Sequence, residues 1–272
     1  MKLKIQISIL FVLLFVGEIA ASQWIQRSGL PNVGRHRGIG ISIGNKGYIG
    51  LGHYNGAGPN IILNDWWEYD PATNAWAQKA NYIGNSGIGN YAVLAFSMEK
   101  FGFIGGGQVG PSGEFFKYDP STNLWTSAMN TPTYVGNVTG FVIGDKGYYL
   151  SGNQLYEYDA TLDVWTMKNP APFSAGIWTT SFVIDGKGYY KTGNQLWEYK
   201  PSIDTWANRA TYPGLATAGS VGFTQNNKGY VVTGYAGFLS AVTKDVYEFN
   251  PGTNTWDSLP EFPGSARRFS SG

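Results

Sequence analysis

The stretch Tyr69-Asp70-Pro71-Ala72-Thr73-Asn74-Ala75-Trp76 decides how this chain is read, because its pattern returns four more times. Each copy runs from an aromatic residue through a turn of Asp-Pro type to a tryptophan seven positions on: Tyr118 to Trp125, Tyr158 to Trp165, Tyr199 to Trp206 and Phe249 to Trp256. Ahead of each copy a polar turn runs into glycine and an aromatic residue and closes on glycine again, as Gly47 to Gly52, Gly102 to Gly107, Gly147 to Gly152, Gly188 to Gly193 and Gly229 to Gly234. Two linked signatures recurring together five times mark a structural repeat.

The steps from Trp76 to Trp125, Trp165, Trp206 and Trp256 are 49, 40, 41 and 50 residues, inside the ~40 to 50 residue period of propeller blades. Each unit is rich in Tyr, Phe, Trp, Val, Ile and Thr, is broken by Gly, Asn, Asp and Pro, and has no long apolar run of helical period. The repeat is therefore all-β. In the third unit, Phe141-Val142-Ile143 reads as strand one, Gly144 to Gly147 as a tight hairpin turn, Tyr148-Tyr149-Leu150 as strand two and Leu155 to Tyr158 as strand three. The turn after the Asp leads into strand four at Trp165. Pro71, Pro120, Pro201 and Pro251 preset φ there. A four-stranded sheet with large aromatics on both faces must stack on its neighbours, and repetition around a ring gives a β-propeller.

These motifs resemble the kelch repeat, the galactose-oxidase-like type of propeller, over essentially all of Trp24 to Gly272. The double glycine usual in that family is intact only in Gly105-Gly106-Gly107; the other copies keep the last glycine alone, as in Leu51-Gly52 and Ser151-Gly152. A tryptophan-aspartate repeat propeller lacks support, since no Trp-Asp closing dipeptide or Gly-His opening recurs. The resemblance implies a kelch-type β-propeller of five complete four-stranded blades plus part of a sixth closing blade. Trp24 to Arg27 looks like a fourth strand arriving before any first strand, and Arg267 to Ser270 like the start of a first strand. The expectation is a propeller over 23–272, truncated at the C-terminus and inclined to self-associate through its incomplete blade.

Residues 1–22 read as a signal peptide: Lys2 and Lys4 precede the apolar stretch Ile5 to Val16, too short to span a bilayer, and Ala20-Ala21-Ser22 supplies small residues for cleavage. A secreted or periplasmic protein follows, with no stable membrane insertion after cleavage. With no cysteine, its core must suffice without disulfides. The whole chain carries a formal charge of +1 and 14% charged residues, which gives no electrostatic case for nucleic acid.

Long connections on a regular scaffold are where recognition is expected. They fall at His53 to Leu63 in blade one, Gln108 to Ser112 in blade two and Tyr235 to Thr243 in blade five, all on the face opposite the hairpin turns. The candidate ligand-binding residues are Arg37, His53, Tyr54, Asn60, Gln108, Trp178 and Tyr235, with Arg35, His36, Asn55 and Phe238 beside them. Aromatic faces with Asn and Gln amides suit a protein, peptide or glycan ligand. The recurring Lys46, Lys100, Lys146, Lys187 and Lys228 read as a solvated hairpin position, and Glu68, Glu157, Glu198 and Glu248 as structural. Asn137-Val138-Thr139 is a lone glycosylation sequon.

No catalytic set, metal or cofactor is expected. Copper-radical oxidases of the resembled fold need a Cys joined to a Tyr and His ligands; this chain has no Cys and two His, His36 and His53. The reading is a non-catalytic recognition or scaffold domain using the long-loop face. The alternative is a sugar-directed enzyme resembling kelch-type sialic-acid isomerases (mutarotases), for which Arg37 or Arg268 would take the carboxylate.

Overall fold

A computed structural model describes residues 24–56, 58–98, 100–215, 218–237 and 241–270. Five antiparallel four-stranded sheets follow one another along the chain. Blade one is β1 (Ile39–Ile43), β2 (Lys46–Gly50), β5 (Trp66–Asp70) and β6 (Ala75–Lys79), with the short hairpin β3 (His53–Tyr54) and β4 (Ile61–Ile62) inserted. Blade two is β7 (Leu94–Met98), β8 (Phe101–Gly105), β9 (Phe115–Asp119) and β10 (Leu124–Ala128). Blade three is β11 (Gly140–Ile143), β12 (Lys146–Ser151), β13 (Gln154–Asp159) and β14 (Val164–Met167). Blade four is β15 (Thr180–Ile184), β16 (Lys187–Thr192), β17 (Gln195–Lys200) and β18 (Thr205–Asn208). Blade five is β19 (Val221–Gln225), β20 (Lys228–Ala236), β21 (Ala241–Asn250) and β22 (Thr255–Leu259). The first strands lie side by side around the axis, β1 by β7, β7 by β11, β11 by β15 and β15 by β19. The signal peptide expected over 1–22 and the candidate Phe238 lie outside the described residues.

The recurring phrase builds a tie between blades. Five residues after each aromatic stands an Asn or Asp at positive φ, namely Asn74, Asn123, Asp163, Asp204 and Asn254. These side chains tolerate the left-handed region and offer a local acceptor. In blade two the Tyr118 hydroxyl donates to Asn123 Oδ1 (2.9 Å), which also accepts the Ala80 N–H from the segment leaving blade one (2.9 Å). Trp125 Nε1 then donates to the Ala80 carbonyl (2.9 Å). Tyr158, Asp163 and Trp165 repeat this on Met129, while Asn254 and Trp256 repeat it on Ala210. In blade four Asn169 takes the place of that anchor, bonding to Asp204, and the Trp206 indole nitrogen is buried without a partner.

Apolar layers fill the spaces between successive sheets, each drawing on the phrase residues of the later blade: Tyr118 and Trp125 with Tyr48 and Trp66 in the first, Tyr199 with Phe141 and Tyr148 in the third. The recurring glycine of the Gly-aromatic pair belongs to this packing and not to the hairpin turn. A Cβ at Gly188 or Gly229 would lie 2.4 Å from the Phe141 ring or 2.1 Å from the Phe182 ring of the preceding blade. The turn itself uses Gly144, at φ +60 or close to it, as do Gly44 and Gly186 in their blades. The glutamates ahead of the phrase accept cross-strand bonds from the strand-two tyrosines, Tyr48 to Glu68, Tyr148 to Glu157 (2.6 Å), Tyr189 to Glu198 (2.7 Å) and Tyr230 to Glu248 (2.5 Å). Contrary to a merely solvated role, Lys46, Lys146 and Lys228 pair with Asp70, Asp159 and Glu248 on strand three.

Blade five departs from the expected loop. Its excursion continues the sheet: Gly234 pairs with Thr243, Tyr235 with Val242 and Ala236 with Ala241, after a register shift between Val232 and Gly234. Two further segments extend the blade contacts. Trp24 packs edge-on against Phe262 (5.2 Å), as Trp256 does against Tyr212 (5.1 Å), and the Ser28 carbonyl receives Trp76 Nε1 (2.9 Å).

Candidate functional site

Each of the five first strands is preceded by one residue with left-handed backbone, Phe269 adds a sixth, and five backbone bonds link these residues in series around the axis. Arg37, Ala92, Asn137, Trp178, Gly219 and Phe269 have φ between +55 and +65. The Ala92 N–H donates to the Arg37 carbonyl (2.9 Å), Asn137 to Ala92 (3.0 Å), Trp178 to Asn137 (2.8 Å), Gly219 to Trp178 (2.6 Å) and Phe269 to Gly219 (2.9 Å). The left-handed region costs most non-glycine residues about 1 to 2 kcal/mol; Gly219 escapes that cost and Asn137 bears less of it. The backbone bonds offset the strain and hold all six positions in one geometry.

The ring forms the mouth of an axial funnel on the long-loop face. Its outer chamber, about 150 Å³, is lined by all six ring residues. The deeper chamber, about 190 Å³, is lined by small residues such as Gly40, Ala95, Gly140 and Gly222 and by Thr139, Thr180, Ser181 and Ser220. Arg37 is the one charged residue among those lining either chamber. Its guanidinium lies over three rings at once, Trp178 (5.2 Å), Phe269 (5.3 Å) and Tyr91 (5.9 Å), and Trp178 packs on Phe269 (4.8 Å). Arg37 forms no salt bridge among the described residues, and its Nε is buried without a hydrogen-bond partner.

Neighbouring side chains hold this arrangement. Arg35 makes a two-pronged pair with Asp65 (2.6 and 2.7 Å). Burial alone would raise the Asp65 carboxyl, but bonds from Arg35, Trp67 and Asn32 keep it below its ordinary value. Arg35 is therefore spent on anchoring the chain ahead of Arg37. Next to it the two histidines pack ring on ring (3.8 Å), and their backbones exchange both hydrogen bonds. His53, buried, stacks on Tyr91 (4.2 Å) and places Nδ1 2.7 Å from Asn60 Oδ1. His36 Nε2 lies 2.9 Å from Asn55 Oδ1. Burial, followed by the fields of His53, Arg37 and Arg268, lowers the His36 pKa against the opposing Asn55 bond, which favours a neutral ring at pH 7.

Of the residues expected from sequence, Arg37 and Trp178 meet directly at the mouth, while His53 and Asn60 form a pair that reaches Arg37 through Tyr91. Tyr235 stands beneath the Arg268 guanidinium (4.4 Å), which also covers Phe269 (4.9 Å). Tyr54 is exposed on the β3–β4 hairpin, away from the Arg37 contacts, while Gln108 donates its side-chain amide to the Tyr134 hydroxyl (2.5 Å) and its backbone N–H to the Tyr91 carbonyl (3.1 Å). Sequence reasoning missed Phe269, Tyr91 and the ring role of Asn137, whose Oδ1 accepts Trp178 Nε1 (2.6 Å). A signal was present. The first five ring residues each stand ten positions ahead of the glycine of a Gly-aromatic pair.

No protein-family model matches the sequence, and neither does any curated protein. Among solved structures, that of YjhT is similar over 88% of this chain and 87% of its own, with a TM-score of 0.75 and 15% sequence identity. At that identity the likeness shows the β-propeller fold alone.

Proposed function

We propose that this is an exported, kelch-type propeller that serves as a recognition domain, with the axial mouth on its long-loop face as the binding site. The single observation that carries the reading is Arg37: a cation without a carboxylate partner among the described residues, set among aromatic rings at the opening of a cavity lined by serine and threonine. Such a group suits a peptide or glycan that brings an acidic group to the guanidinium and an apolar or ring face to Trp178. The measurement that tests it is calorimetric or NMR screening of acidic and neutral glycans and peptides. Binding lost in Arg37→Ala supports the reading, while a ligand that binds wild type and Arg37→Ala alike refutes it.

The sugar-directed enzyme remains a second reading because His36, inclined to stay neutral, adjoins Arg37 and supplies a base. No carboxylate lines the cavity among the described residues, so acid and base roles would both fall on the histidine pair. Anomeric exchange of an acidic sugar followed by NMR distinguishes the two. Acceleration abolished by His36→Gln favours the enzyme.

A further inference from the structure

We infer that Arg37 is a gate across the axial funnel, closed by its contacts with aromatic rings and opened when a ligand's carboxylate draws the guanidinium off them. The inference rests on the binding reading above and adds how the site admits its ligand. Arg37 and Trp178 are three places apart in the series of six, so their two side chains together span the opening, with the guanidinium 5.2 Å from the indole. The sixth member, Phe269, and Tyr91 beside the second member meet the same guanidinium. Ala92 and Gly219 offer nothing bulky to block that path. Arg37 thus occupies the mouth, with the deeper chamber beneath it.

The chemistry of closure and opening differ in kind. Cation–π contacts hold the guanidinium without satisfying its hydrogen-bond donors, and Nε is left without an acceptor. A carboxylate offers two parallel charge-assisted bonds to those donors, a stronger and directional interaction. The closed state is stable in the absence of such an anion, and an anion binds only the fraction of molecules in which the gate is free. Its apparent affinity is reduced by that fraction. The consequence is opposite to that of a simple aromatic binding platform: weakening the rings that hold Arg37 improves the binding of a carboxylate.

The chain has no cysteine, so a Ser220→Cys background puts one reporter thiol just beneath the ring, on the wall shared by both chambers. Its reaction with neutral methyl methanethiosulfonate, followed by mass spectrometry, reads access through the mouth without any ligand. Adding Arg37→Ala is expected to speed labelling about tenfold, and Trp178→Leu, which loosens the gate from the opposite side, several-fold. Labelling unchanged in both variants, each first checked by its melting curve, overturns the gate. In parallel, benzoate and its neutral twin benzamide are titrated by ligand-observed NMR. Wild type is expected to prefer benzoate, Trp178→Leu to bind it more tightly, and Arg37→Ala to lose the preference. A drop in benzoate affinity in Trp178→Leu overturns the gate and leaves the anion reading standing. No preference for benzoate in wild type overturns the anion reading and with it carboxylate-driven opening, while the labelling rates still decide whether Arg37 closes the mouth.

Discussion

At the outer wall of the propeller each blade is tied to the one before it by side chains, and at the axis the tie is made by backbone. On the outside the same chemistry recurs, with Tyr118, Asn123 and Trp125 gripping Ala80, and Tyr158, Asp163 and Trp165 gripping Met129. At the axis the ring of left-handed residues is equally regular, yet its side chains are Arg, Ala, Asn, Trp, Gly and Phe. Where a side chain makes the joint, its identity is constrained by the joint. Where the backbone makes it, the side chain is released for other work. The recurring sequence therefore marks the scaffold, and the irregular ring positions mark the site.

The sharpest way to break this contrast is to remove one tryptophan from each region. Trp125→Ala takes out a largely buried ring and its bond to Ala80, and is expected to cost about 3 to 5 kcal/mol in chemical denaturation. Trp178→Ala, at the solvent-facing mouth, is expected to cost about 1 kcal/mol or less. Equal losses would remove the distinction between scaffold and site.

The left-handed positions give the next test. Asn123→Ala loses two hydrogen bonds and puts alanine at φ +57, an expected loss of about 2 kcal/mol. Ala92→Gly in the axial ring, at φ +55, should act in the opposite direction, stabilising by about 0.5 to 1 kcal/mol. A destabilised Ala92→Gly would mean that the ring does not depend on relief of backbone strain.

Lys191 on β16 stands where blade three has Leu150, buried with its ammonium over the Tyr212 ring (4.4 Å). Burial drives its pKa down to about 7 from the ordinary 10.5. Between those values the unfolded chain holds a proton that the folded protein has released, so stability is expected to rise as pH increases above about 7. Lys191→Leu should flatten that rise in melts across pH, and an unchanged profile would show that another group is responsible.

Smaller differences sharpen the picture within each region. Trp125→Phe loses a bond that Trp206→Phe does not, because the Trp206 indole nitrogen has no partner. The first is therefore expected to cost about 1 kcal/mol more than the second. Tyr54→Ala and Tyr235→Ala, both outside the repeated phrase, are expected to shift stability by no more than about 0.5 kcal/mol, and only Tyr235→Ala, which removes the ring beneath Arg268, to weaken ligand binding. A large loss of stability from either would assign it to packing.

Much of the scaffold was legible because its joints are made by particular residue types at set spacings. The third blade's strands fall within a residue or two of the positions expected from Phe141 to Trp165. The Asn or Asp five residues after each aromatic was equally visible, although its part in joining blades was not, since its partner Ala80 or Met129 has no distinguishing chemistry. The excursion of blade five reads as a loop because Tyr235 to Thr243 carries glycine and alanine among its strand formers, and only pairing between β20 and β21 shows that the sheet continues there. At the site, Arg37 and Trp178 were legible as a charge entering the first strand of blade one and an aromatic in the connection from blade three to blade four, both outside the repeat. Phe269 was not, being far along the chain from both, and Arg35 looked as available as Arg37 until Asp65 was found beside it.

By itself the sequence determined the repeat, its β-structure and the stacking of its sheets, because aromatic spacing and turn chemistry act over a few residues and recur. Tertiary structure alone decided which charges remain free and which rings meet. Closing the ring brings residues 37, 91, 178 and 269 to one mouth, and no local rule relates residues whose only common feature is the place they hold around an axis.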